Sequence, residues 1–226
     1  MKIKTRRRNQ GFTLIELLVV ISIIAMLAAG GFASYGKIMP GVRANAANKT
    51  GKAIYTWLQA YANENDQTFP QTQNASNDAF RELFKKKYLD DEQGFAIPGD
   101  AWLNNAPGGN KKPDNDIGNE PDFTSALSPG ECSWAYVNNL DAASQSNLPL
   151  LANAFTETPG TYEKNKNKKG GVFNGLKAVW VSVGGSAKVA DLGQTLTITE
   201  KKSSRDVNIF TSEWGTSPDD VKNPAG

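Results

Sequence analysis

The sequence predicts an α+β fold, with one long N-terminal helix followed by a small antiparallel sheet. Three observations carry that expectation. Residues 12–36 are almost wholly apolar. Beyond them Ala47, Ile54, Trp57, Leu58 and Tyr61 recur at spacings of three, four and seven, the stripe of an amphipathic helix. Residues 177–183, Lys-Ala-Val-Trp-Val-Ser-Val, are β-rich and alternating, and Gly184-Gly185 follows as a turn.

Residues 1–10 read MKIKTRRRNQ, with five cations at Lys2, Lys4, Arg6, Arg7 and Arg8. From Phe12 to Tyr35 the only charged side chain is Glu16. Those 24 residues would rise roughly 36 Å as a helix, enough to cross a hydrocarbon core about 30 Å thick with some tilt. Basic residues ahead of such a run predict a cytoplasmic N-terminus and an external remainder. Gly30, Gly31 and Gly36 weaken the helix, and Pro40-Gly41 should kink or interrupt it.

The second helical part stops at Asn63 to Gln67, and residues 78–89 form a shorter helix with Lys85, Lys86 and Lys87 facing solvent. Residues 94–129, rich in Pro, Gly, Asn and Asp, read as ordered loop. Strands are expected at 133–137, at 148–155 (interrupted by Pro149), at 177–183 with a hairpin partner at 186–191, and at 195–199. The tail, 215–226, should fray.

Composition narrows the function. Lys plus Arg number 25 and Asp plus Glu 23. Without residues 1–11 the balance is 20 against 23, a side-chain charge of −3, and nothing there suggests a nucleic-acid binder. With no histidine, every histidine-based triad, base or metal site is excluded. The single cysteine, Cys132, excludes an internal disulfide. No catalytic constellation is visible, so the chain is not expected to be an enzyme.

Three readings of the N-terminus compete: a secretory signal peptide, a plain membrane anchor, and a processed assembly helix. Glu16 separates them. A carboxylate at the centre of a membrane helix costs on the order of 2.5–3.5 kcal/mol, and neither of the first two has a use for it. The stretch Gly11-Phe12-Thr13-Leu14-Ile15-Glu16-Leu17-Leu18 resembles the prepilin signal of the type IV pilin and type II secretion pseudopilin family. In such proteins the leader ends in Gly, followed by Phe or Met, then Thr-Leu-hydrophobic-Glu and a long apolar run. The resemblance is sharp over residues 6–39 and architectural beyond; the loose Gly185-Ser186-Ala187-Lys188-Val189 also suits pseudopilins.

That resemblance implies a pilin-like fold with boundaries at 1–11 (cleaved leader), 12–39 (transmembrane and assembly helix), 40–66 (its amphipathic continuation) and 67–226 (globular head). It implies cleavage by a prepilin peptidase between Gly11 and Phe12, N-methylation of Phe12, and assembly through Glu16, whose carboxylate would neutralise the new amine of a neighbouring subunit. The expected partners are other pilin or pseudopilin subunits, the peptidase, an inner-membrane assembly platform and lipid. The expected place is the bacterial inner membrane, single-pass with the head periplasmic, and then a filament. The missing disulfide tilts the reading to a type II secretion pseudopilus. A surface type IV pilus, for adhesion, motility or DNA uptake, is the alternative, and a secreted enzyme behind an ordinary signal peptide is the competing class.

Two loops remain. Asp114, Asp116, Glu120 and Asp122 surround Gly118, and alternating acids of this kind could coordinate calcium; a solvated acidic loop is the competing reading. The spacing is not that of an EF-hand, because Ser125 stands where its closing Glu belongs. Lys164, Lys166, Lys168 and Lys169 form a basic patch without an aromatic platform, read as a flexible surface loop. Trp57, Trp102, Trp134, Trp180 and Trp214 are spread along the chain, and core packing accounts for all five without a carbohydrate site.

Overall fold

The structure is a computed structural model that describes residues 12–106 and 113–226, without the side chains of residues 31–34 and 37. The leader and Gly11 lie outside the described residues. The chain divides into two compact units, one ending at Met39 and the other running Pro40–Gly226.

Helix α1, Leu14–Glu64, contributes to both. In the first unit its large apolar side chains, from Leu14 to Leu27, are 45–82% exposed. Among the described residues, no helix is long and apolar enough to cross a membrane. The expected break at Pro40-Gly41 is not an interruption, because the helix continues through Pro40. The missing N–H removes one helical bond, and Pro40 is buried within the second unit.

In that second unit α1 buries Pro40, Ala44, Ala47, Gly51, Ile54, Leu58 and Ala62, a stripe at three- and four-residue spacing. It ends where Asp66 and Gln67 take positive φ and the Gln67 N–H donates back to the Ala62 carbonyl (2.8 Å). Helix α2, Ser76–Lys85, packs Ala79, Phe80, Leu83 and Phe84 into the same core. It stops short of the expected 89 because Lys87 turns left-handed (φ 58°) and the Tyr88 N–H returns to the Leu83 carbonyl (3.0 Å).

Five strands form one antiparallel sheet: β1 (Trp134–Val137), β2 (Pro149–Asn153), β3 (Lys177–Ser182), β4 (Ala187–Asp191) and β7 (Val221–Lys222). Their order is β4-β3-β2-β1-β7. Pro149 is tolerated because it opens its strand, at a register irregularity. β5 (Thr199–Lys202) and β6 (Arg205–Asn208) make a separate two-stranded ribbon.

The sheet is covered on both faces. Trp134, Tyr136, Val179 and Val181 join α1 and α2 in one core, while Ala135, Val137, Ala178 and Trp180 join Ile198, Ile209 and Phe210 in another. Two expectations fail here. The strand read at 195–199 begins only at Thr199, since Leu196 takes φ 56° in a turn. The tail does not fray: β7 pairs with β1, and Asn223 donates to the Phe155 and Thr156 carbonyls (both 2.9 Å) while accepting from the Phe155 N–H. The Ala225 N–H bonds Asn77, and Lys169, read from sequence as part of a flexible loop, turns inward to donate to the Pro224 and Gly226 carbonyls.

Candidate functional site

Thr13 and Glu16 form a reciprocal cap at the start of α1. The Thr13 N–H and hydroxyl both donate to one Glu16 carboxylate oxygen (2.8 and 2.7 Å), and the Glu16 N–H donates back to the Thr13 hydroxyl (3.3 Å). This is the capping box, in which a Thr and a Glu three residues on satisfy donors that the first turn leaves unpaired. The acid also sits at the positive end of the helix dipole.

Phe12 precedes the cap and is 80% exposed. The sequence shows Glu16 as the lone acid of the run; the structure adds its local partner. The spacing Thr-x-x-Glu carries that signal, although within an apolar run it reads first as an intramembrane charge. Around it, Ile15, Leu17, Leu18, Val19, Val20 and Ile21 are all at least 45% exposed, so this part of the helix has an uncovered apolar surface.

The acidic loop is built differently from its sequence expectation. Glu92, Asp114 and Glu131 bring one carboxylate oxygen each within 4.8 Å of one another. Of the four sequence candidates only Asp114 belongs to this group. Asp116 accepts from the Gly118 N–H (3.2 Å), Glu120 pairs with Lys87 (2.8 Å), and Asp122 is exposed.

Glu92 and Glu131 are both fully buried, and nothing in their sequence spacing signals it. Glu92 accepts from the Leu127 and Asn115 N–H groups, and Glu131 from those of Asp114 and Ser128. Burial pushes the Glu92 carboxyl up, against those two N–H groups and with help from Asp114 and Asp116. Such oxygens suit a hard divalent cation in kind. What they do in the structure is anchor the 113–131 loop through its backbone N–H groups.

Comparison with known proteins bears on the first of these sites. Residues 6–32 match the prokaryotic N-terminal methylation motif. The chain is also similar to the type IV major pilin protein PilA of Myxococcus xanthus (strain DK1622), at 39% identity over 59 residues. That match covers 26% of this chain and 27% of the relative's length. No solved structure matches the chain.

Proposed function

Taking as premise that the chain is type IV pilin-like, with a prepilin-type N-terminal methylation motif, we propose that it is a structural subunit of an extracytoplasmic filament, and not an enzyme. The observation that carries this reading is the pairing of a capped acid, Glu16, with the uncovered apolar surface that follows it on α1. A lone water-soluble protein would leave that surface at a cost of about 25 cal/mol for each Å². A bilayer takes it before assembly and neighbouring helices take it afterwards.

In this reading a prepilin peptidase cuts between Gly11 and Phe12 and methylates Phe12. Cutting removes the five cations that hold the N-terminus at the cytoplasmic face of the inner membrane. It also creates an amine at Phe12. The Glu16 carboxylate of one subunit then meets the amine of the next, and a matched charge pair in a low dielectric rewards one axial register. The assembly platform and the lipid of the inner membrane complete the partners.

The filament is a type II secretion pseudopilus in our first reading, which rests on a lone, buried cysteine that cannot staple a loop. A surface type IV pilus is the second reading, favoured by the similarity to a major pilin. Mass spectrometry of the mature protein tests the common core: an N-methylated Phe12 is expected, and a mature N-terminus near residue 30 overturns it. Deleting the gene then separates the two filaments. Loss of an exported protein with surface fibres intact supports the pseudopilus, and loss of surface fibres alone supports the pilus.

A further inference from the structure

A second site lies wholly within the Pro40–Gly226 unit, on the sheet face turned away from α1. A groove of about 290 Å³ is lined by Trp180 and Ser182 of β3, Lys188 of β4, Glu200 of β5, Ser186 and Trp214. Its lining holds donors without acceptors. Trp180 is 1% exposed, and its Nε1–H has no hydrogen-bond partner among the described residues. Ser182 is 3% exposed; its hydroxyl oxygen accepts from the Ser186 N–H (3.2 Å), and no acceptor receives its own proton among the described residues. Leaving a buried donor unmet is costly, and the sheet retains one at Trp180 with a second, the Ser182 hydroxyl, only half used beside it.

The charges of the groove cancel. Lys188 and Glu200 form an ion pair (2.9 Å) whose side chains stay 45% and 30% exposed, and Lys188 Nζ stands 4.9 Å from the centre of the Trp180 ring. Trp214 is half-buried and donates its own Nε1–H to the Asn147 carbonyl (3.3 Å), which fixes the indole as a wall. Core packing, the sequence expectation for every tryptophan, therefore leaves out what Trp180 and Trp214 offer here.

We propose that this groove binds a single neutral sugar ring. The ligand must supply acceptors for the buried donors, and hydroxyl oxygens do so. It must be uncharged, since the one cation and one anion of the lining already neutralise each other. It must present a flat apolar face to an indole, which the C–H face of a pyranose does. The volume is at the lower limit of small-molecule sites and suits one ring. This inference is independent of the filament reading.

The test uses full-length protein in detergent micelles with ¹⁵N-labelled tryptophan, so that each of the five indole N–H groups gives its own signal. Methyl glucoside, methyl galactoside, methyl mannoside and N-acetylglucosamine are titrated in turn, with glucuronate as the charged control. At least one neutral sugar should move the Trp180 and Trp214 signals saturably in the millimolar range, leaving those of Trp57, Trp102 and Trp134 in place. Trp214→Ala should weaken that binding about tenfold. Glu200→Gln, which leaves Lys188 uncompensated, should shift preference toward glucuronate. The proposal is overturned if no sugar moves these two signals, if all five move together, or if both variants bind as the wild type does.

Discussion

Glu16 caps its own helix in the single chain, so replacing it has two separable effects. Glu16→Val removes the Glu half of the cap and loosens the helix start, while making the apolar run easier to insert. The variant should reach the membrane and be cleaved, yet assemble poorly; filament yield equal to wild type would remove the proposed pairing. A second residue carries a pH dependence. Asp100 accepts from the Ser133 hydroxyl (2.8 Å) and the Trp102 N–H (3.3 Å), but burial raises its carboxyl to about 6 from 3.8. A raised carboxyl binds its proton more tightly in the folded state, so stability is greatest below the unfolded value and declines as pH rises from about 4 to about 6. The decline is of order 3 kcal/mol. Asp100→Asn should flatten it, as read by urea denaturation at a series of pH values; an unchanged slope would show that another group is responsible.

Among the elements, α1 meets the sheet closely because one residue lacks a side chain. A Cβ placed on Gly51 would stand 2.9 Å from the Trp134 ring and 3.1 Å from a Val181 methyl. Gly51→Val should therefore destabilise the second unit by about 1–3 kcal/mol despite its better helix propensity, lowering the melting temperature by several degrees in calorimetry. An unchanged transition would mean that the helix can lift off Trp134 freely. α1 was legible because it buries apolar residues in a regular period, β1 to β3 because they are short, wholly or nearly wholly buried apolar runs, and β4 because a Gly-Gly turn follows β3. β5 reads Thr-Glu-Lys-Lys, β6 Arg-Asp-Val-Asn and β7 only Val-Lys, so these short, mostly polar segments carry no period, and strand pairing places each with at most one apolar side chain buried or packed on a core. The same reason hid the tail, where hydrogen bonds of Asn223, Asn77 and Lys169 join the burial of Pro224 and the packing of Val221. At the first site, Glu16 stood out because an acid is conspicuous among apolar neighbours. Glu92 and Glu131 did not, because in a polar loop burial is decided by distant backbone.

For the molecule as a whole, the one thiol is out of reach. Cys132 is fully buried, with its thiol pushed up to about 12, chiefly by burial. The folded protein should resist iodoacetamide over hours and react once denatured; rapid labelling of the native form would show that the core around β1 opens. Cross-linking through Cys132 is thus closed to the folded protein.

The same sheet that fills the second unit also has ends, and those ends are guarded. On one side lies β7, two residues long and followed at once by Asn223 and Pro224, which offers almost no ladder for another strand to extend. On the other lies β4, where Lys188 and Asp191 put charge on the rim and tie it by ion pairs to Glu200 and Lys177. Subunits crowded side by side, as in any fibre, stand at concentrations that favour strand-to-strand polymerisation. In the proposed filament, where association runs through the helix, these guarded edges close the competing route through the sheet, so that growth ends in a fibre without drifting into amyloid.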